Sequence, residues 1–221
     1  MIASMAAVGF GVSQGSSTSP GAPIVDQTTA PEETPDVDQW PDGAPKVIDA
    51  TKAHIATIQT NQGDIVMELA TDAPLAVNSF AFLAAKNFYD GTAFFYVDKA
   101  YFAQSGDPTC STDSDRLCSG LGGPGYTLSL EDSSISHVKW AVVAPSLSEG
   151  ETDVHGSQFR ILYADDARLD GKETVFGTVV SGQEILEGLA NFSVCSVSTA
   201  ADCQEDLSNA LIIEDVTVTE A

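Results

Sequence analysis

The sequence predicts a mainly β fold, a closed antiparallel barrel capped by two helices. Three observations carry this prediction. Short runs of alternating apolar and polar residues recur between turn residues, only two stretches show helical periodicity, and nothing alternates in the β-α-β manner of a parallel sheet. Periodicity alone does not choose a barrel over a sandwich; that choice rests on motifs given below.

Residues 1–14 open with an uncharged run of small apolar residues, Met1 to Val12, too short to cross a bilayer and without the basic residues that precede a secretory apolar segment. It reads as the remnant of a signal or membrane anchor, against the alternative of an unstructured start with no targeting role. Residues 15–51 are rich in Ser, Thr, Pro, Gly and acidic residues. Such a composition buries too little apolar surface to offset chain entropy and predicts a disordered linker. Trp40 is its one large aromatic residue and is expected to dock on the domain that follows.

That domain spans 52–221. His54 to Thr60 and Asp64 to Leu69 flank Asn61-Gln62-Gly63, and Ile65, Met67 and Leu69 alternate as one face of a half-buried strand, so the two runs form a hairpin. Thr71-Asp72 offers a cap, Pro74 suits a first helical turn, and Val77, Phe80, Leu83 and Ala84 share a face, which predicts a helix over 73–85. Phe94 to Ser105 reads as two strands broken near Lys99-Ala100. Residues 106–125 hold no periodicity and many turn residues, so they form a long loop. Further strands are expected at 140–144, 158–163 and 174–180, a helix at 183–191, and a last strand at 211–219.

The 9 Lys and Arg stand against 32 Asp and Glu, and a net charge of -23 speaks against nucleic acid or an anionic membrane surface as partner. Cys110 with Cys118, and Cys195 with Cys203, form two local pairs of equal spacing. Four cysteines allow three pairings, and the matched spacing favours two local disulfides, which persist in an oxidising, extracytoplasmic compartment. Zinc is the competing reading, weakened by the lack of any C-x-x-C or neighbouring His. Asp113 and Asp115 suggest calcium less well than an exposed acidic loop. No nucleotide-binding loop, H-E-x-x-H or G-x-S-x-G is present, and no metal or cofactor is expected.

The strands around the long loop carry the most specific signal. Gln104-Ser-Gly-Asp-Pro-Thr is answered by Gly156-Ser-Gln-Phe, then by Leu169-Asp-Gly-Lys and Thr174-Val-Phe-Gly, while Ala73-Pro-Leu-Ala-Val-Asn-Ser-Phe, Asn87-Phe-Tyr-Asp-Gly-Thr and Leu121-Gly-Gly-Pro-Gly-Tyr stand in order around them. Collinear over 55–218, this set resembles the cyclophilin family of peptidyl-prolyl cis-trans isomerases. The resemblance implies an eight-stranded cyclophilin-like barrel, a monomer acting on proline-containing polypeptide segments without a cofactor.

Rotation about an X-Pro bond faces a barrier of about 18–20 kcal/mol from amide resonance. An enzyme lowers it by seating the proline ring in an apolar pocket and donating a hydrogen bond that favours the twisted amide. In the family an arginine supplies that contact; by the resemblance its position here is Tyr96. Tyr96, Arg160 and Gln104 are therefore the candidate catalytic residues. Tyr101, Phe102, Ala144, Pro145, Gln158, Leu169 and Glu173 are the candidate substrate-binding residues. Arg160 stands where an aromatic floor is implied, Glu173 where a histidine is, Pro145 where an asparagine is, and Arg168 where many members have a tryptophan. Arg160 either reaches across to replace the missing guanidinium or pairs with Glu173. His155 is expected in an exposed rim loop. Three functions follow in order: an isomerase of exported proteins with weakened catalysis, tethered or secreted; a non-catalytic peptide-binding module; and a structural surface domain.

Overall fold

The computed structural model describes residues 38–49, 51–112, 118–148, 150–193 and 207–221. The apolar start, Asp113 and Asp115, and the expected Cys195–Cys203 pair lie outside them. Eleven strands and two α-helices are assigned among the described residues. In chain order they are β1 (His54–Thr60), β2 (Gly63–Leu69), α1 (Pro74–Ala84), β3 (Tyr96–Asp98), β4 (Phe102–Ser105), β5 (Thr127–Ser129), β6 (Ala141–Ala144), β7 (Asp153–His155), β8 (Phe159–Leu162), β9 (Thr174–Ser181), α2 (Gln183–Gly188), β10 (Phe192–Ser193) and β11 (Ile213–Glu220).

Eight strands make the barrel sheet in the order β3-β4-β8-β6-β9-β2-β1-β11, with the two-residue β10 added beside β3. Every pairing is antiparallel. The ring is brought round by the residues just before β3. Ala93 bridges Ile212, Phe94 N–H donates to Leu211 O, and Ile213 N–H donates to Thr92 O. At the other end of β11, His54 faces Glu220, Ala221 N–H donates to Ala53 O, and Lys52 pairs with Glu220 at 2.8 Å. Thus the chain enters and leaves the sheet side by side.

The predicted alternation holds in β1 and β2, where Ala56, Ile58, Ile65 and Met67 point into the core and are fully buried. The helix α1 lays Val77, Phe80 and Leu83 on that core. Phe80 stacks among Tyr89, Phe159 and Phe176 at centroid distances of 5.0–5.8 Å, joining helix to sheet. Such offset and edge-on aromatic contacts add to the area they bury.

The cap of α1 differs from expectation. Ala73 is the N-cap and offers no side-chain bond. Instead the carboxylate of Glu131, from a loop 55 residues on, accepts from the N–H groups of Leu75 and Ala76, both at 2.9 Å. Asp72 lies too early in the turn to do this and is spent on Ser133 and Ser134. A carboxylate at a helix start satisfies orphan donors and meets the positive end of the dipole. Likewise α2 stops at Gly188, short of the expected 191. Gly is a poor helix former, Leu189 turns extended, Tyr163 Oη donates to Leu186 O, and Lys99 Nζ donates to Glu187 O.

Residues 38–49, which composition assigned to the linker, lie on the domain. Trp40 packs edge-on against Phe82 at 5.2 Å, its backbone N–H donates to Pro124 O, and Gln39 Nε2 donates to Gly123 O. Asn78 on α1 meets Val47 N–H and Pro45 O. The indole, with Ala44 and Ile48, supplies the apolar contact that holds so polar a segment on the core. Among the described residues no helix is long and apolar enough to cross a membrane.

Candidate functional site

Register builds the site. Tyr96 pairs with Gln104, Gln104 with Arg160, and Arg160 with Val143, so these four stand in one row across β3, β4, β8 and β6. Successive residues of a strand face opposite sides. The neighbouring row of Val97, Ala103, Ile161 and Val142 therefore faces inward, and all four are buried. The polar row lies on the outer face, and beside it come Phe102 and Leu162.

A directed hydrogen-bond chain runs along that row. Arg160 donates from its guanidinium to Glu173 Oε1 at 2.8 Å and from Nε to Gln104 Oε1 at 2.9 Å. Gln104 Nε2 donates to Gln158 Oε1 at 2.8 Å, and Gln158 Nε2 donates to the carbonyls of Gly120 and Gly122. Every amide is oriented by the link before it. The guanidinium also lies over the Phe102 ring, 4.5 Å from its centroid, and Tyr96 stacks on the same ring at 5.4 Å. Of the two readings of Arg160, the ion pair with Glu173 is therefore present. The guanidinium has five N–H donors, and those two bonds leave others for a bound group.

The pair is held at a cost. Burial pushes the Glu173 carboxyl above its ordinary range despite the pull of Arg160, and burial lowers Arg160 despite Glu173. For both groups lost hydration outweighs the mutual attraction, as expected for an ion pair taken largely out of water. His155 is not in an exposed loop but half-buried on β7, which pairs with β5 as a separate ribbon. Burial, and next the charge of Arg160, push its imidazole below the usual range.

The long loop is anchored where the chain ends. Asp107, fully buried, accepts from Thr109 N–H and Oγ1 and from Gly122 N–H. It thereby sets the loop whose carbonyls hold Gln158. Gly106 precedes it at φ +88°, and a Cβ there would meet Ser157 O at 2.3 Å, so only glycine lets the two strands approach. Cys110 and Cys118 are disulfide-bonded, with Cα atoms 4.3 Å apart, and pack on Phe95 next to Tyr96. The sequence motif marked this loop, but the central role of Asp107 went unread. Asp followed two residues later by Thr is the side-chain turn pattern that signals it.

The remaining candidates are placed unevenly. Phe102 and Leu169 pack with Ile135 on a small cluster of Ala141, Val143, Leu162 and Val175, forming an apolar patch beside Arg160. Tyr101 stands in the turn before β4, 54% exposed. Gln158, 1% exposed, has its amide taken up within the protein. Ala144 and Pro145 are buried, and the Pro145 carbonyl accepts from His155 N–H at 3.0 Å. Proline has no N–H, so this position offers no donor, and its carbonyl is already engaged. Arg168 turns away onto Asp166 at 2.7 Å. Among the described residues no three His, Cys, Asp or Glu side chains gather as a metal-ligand set.

Comparison with known proteins accounts for this architecture. Residues 55–218 match the family model for cyclophilin type peptidyl-prolyl cis-trans isomerases. A peptidyl-prolyl cis-trans isomerase of Helicobacter pylori (strain ATCC 700392 / 26695) is 36% identical over 135 residues, 60% of this chain and 76% of that protein. Peptidyl-prolyl cis-trans isomerase B of Bacillus subtilis (strain 168) is 37% identical over 122 residues, 55% of this chain and 79% of its own length. The crystal structure of a cyclophilin type isomerase from Cryptosporidium parvum, obtained in the presence of the dipeptide Ala-Pro, superposes with a TM-score of 0.60 at 26% identity, covering 76% of this chain and 99% of that one. Since that family model covers residues 55–218, well over half of the chain, the chain belongs to the cyclophilin-type peptidyl-prolyl cis-trans isomerase family.

Proposed function

We propose that this protein is a peptidyl-prolyl isomerase with weakened catalysis that acts on proline-containing segments of exported proteins. One observation carries the reading. The position implied to hold the catalytic arginine is Tyr96, while a guanidinium, that of Arg160, lies two strands away on the same outer face, over Phe102. Two strands are about 10 Å. Arg160 cannot stand in for the lost group without the substrate sitting deeper over Phe102 and Leu169.

In this reading the prolyl ring rests on the patch of Phe102, Leu169 and Ile135. The unengaged N–H groups of Arg160 donate toward the amide nitrogen as it loses resonance. Glu173 and Gln104 position the guanidinium, so its orientation is set before substrate arrives, which is where electrostatic catalysis gains. The Cys110–Cys118 disulfide supports an oxidising, extracytoplasmic location.

A second reading, a non-catalytic peptide-binding module, is favoured by one feature. Gln104 and Gln158 spend their amides on each other, on Arg160 and on the loop, and Pro145 offers no backbone bond. A protease-coupled isomerisation assay on a short X-Pro peptide separates the two. Turnover that disappears in Arg160→Ala establishes the relocated guanidinium. No rate above background at high protein concentration sinks the isomerase, and binding without turnover then leaves the module.

A further inference from the structure

Residues 38–49 precede the stretch, 55–218, that matches the family model, yet they reach the loop that supports the groove. They form a strap joining two elements. On one side the Trp40 ring packs on Phe82 and Phe88 at 5.2 and 5.9 Å, and Asn78 holds Val47 N–H and Pro45 O, which fixes the strap to α1 and the turn after it. On the other side Gln39 Nε2 donates to Gly123 O at 2.9 Å, and the backbone N–H of Trp40 donates to Pro124 O at 2.8 Å. Packing the indole on α1 does not require these two bonds. They tie the loop to the helix.

That loop bears on Gln158 in two ways. The carbonyls of Gly120 and Gly122 accept from Gln158 Nε2 at 3.1 and 2.8 Å. Pro124 also lies against the segment that carries the glutamine: a Cβ on Gly156 would stand 2.9 Å from Pro124 Cγ and 2.5 Å from Tyr126 O, so only glycine allows this approach. Asp107 holds the loop from within, at Gly122 N–H. The strap takes over at the next two residues. Pro124 has no N–H of its own, and its carbonyl is the group by which the strap holds it.

We propose that residues 38–49 are a positioning strap for the groove, in which Gln39 and Trp40 fix Gly123 and Pro124 and so orient the Gln158 amide for peptide. From Gln158 the chain of bonds continues, since Gln104 Nε2 donates to Gln158 Oε1 and Arg160 Nε donates to Gln104 Oε1. An amide has a donor end and an acceptor end, so a Gln158 that loses its loop carbonyls also loses its hold on Gln104. Coupling is carried by such contiguous packed and hydrogen-bonded groups. The strap rests on the peptide-binding reading of the groove and assigns that groove a support from outside the residues the family model matches.

The test uses the full chain with Gln39→Ala, Trp40→Ala and Trp40→Phe. Three quantities are followed: the side-chain amide resonances of Gln158, assigned with Gln158→Leu; the Kd for a short X-Pro peptide; and the urea midpoint. Gln39 is exposed, so Gln39→Ala is expected to leave the urea midpoint in place while moving the Gln158 resonances and weakening the peptide about threefold. Trp40→Ala is expected to weaken it on the order of tenfold, and Trp40→Phe, which keeps a ring on Phe82, to recover most of that loss. Should Trp40→Ala fail to fold, Gln39→Ala carries the test alone. Peptide bound equally by the parent and the variants, with Gln158 unmoved, overturns the strap and leaves the groove reading standing, even if the urea midpoint falls. No peptide bound by the parent overturns the groove reading and with it the part of the strap in recognition.

Discussion

Arg160 and Glu173 meet at 2.8 Å with the arginine side chain only 23% exposed, and each is opposed by its own lost hydration. The pair adjoins the outer-face patch of Phe102 and Leu169, so its energetics bear on that patch.

Breaking it from one side should cost more than removing it. Glu173→Gln leaves Arg160 buried without an anion and is expected to lose about 2 kcal/mol, less than the roughly 3–5 kcal/mol of a fully buried pair because Arg160 keeps some water. Arg160→Met combined with Glu173→Leu should fall within about 1 kcal/mol of the parent. Because the folded carboxyl is raised, its contribution to stability is present below the ordinary glutamate range and is lost as pH rises through the raised value. Urea unfolding across that window should show this slope in the parent and not in Glu173→Gln.

Restoring a guanidinium at the implied position gives a direct measure of what Tyr96 has given up. Tyr96→Arg is expected to raise kcat/KM on the order of a hundredfold, the usual worth of one well-placed donor. Tyr96→Phe, which keeps the stack on Phe102 and removes only the hydroxyl, should stay within about twofold of the parent. A Tyr96→Arg variant no faster than the parent would place the deficit elsewhere, with Pro145 the next suspect.

His155 should report the charge of Arg160. Burial and that charge both depress its imidazole, so its NMR midpoint is expected below the ordinary value of about 6.5. A depressed histidine adds stability above the unfolded pKa, and this is lost as pH falls through the lower folded value. In Arg160→Met the midpoint should move up. An unmoved midpoint would show that burial alone sets it.

Opening the Cys110–Cys118 bridge should loosen the support of Gln158. In the loop-entropy account such a bridge stabilises by roughly 2–3 kcal/mol, and Cys110→Ser/Cys118→Ser should lose about that much. Hydrogen exchange should quicken at Gly122, whose N–H is held by Asp107 inside the same loop. Protection unchanged at Gly122 would mean that Asp107 alone holds the loop.

How much of this was legible depends on the range of the signal. The β1–β2 hairpin could be read because Ile65, Met67 and Leu69 alternate within seven residues. The groove strands could be read because the Gln104 and Gly156 motifs are local strings. The β5–β7 ribbon could not, since two runs of three mostly polar residues, Thr127–Ser129 and Asp153–His155, carry no period. The cap of α1 by Glu131 and the chain from Glu173 to Gly120 were equally silent, being contacts between residues far apart in sequence. The pairing of Arg160 with Glu173 was foreseen as one of two alternatives because both charges stood at positions implied to share a pocket.

The adjacency of the barrel's first and last strands has a mechanical meaning. With His54 opposite Glu220 on antiparallel strands, a tension applied through residues 52 and 221 loads the β1–β11 hydrogen bonds one after another, as a zipper is opened, instead of all at once in shear. Such a domain yields at low force from one seam. The fraying then begins at Lys52–Glu220 and travels along β11 toward Ile213, whose bonds at Gly91 and Thr92 bring the ring round.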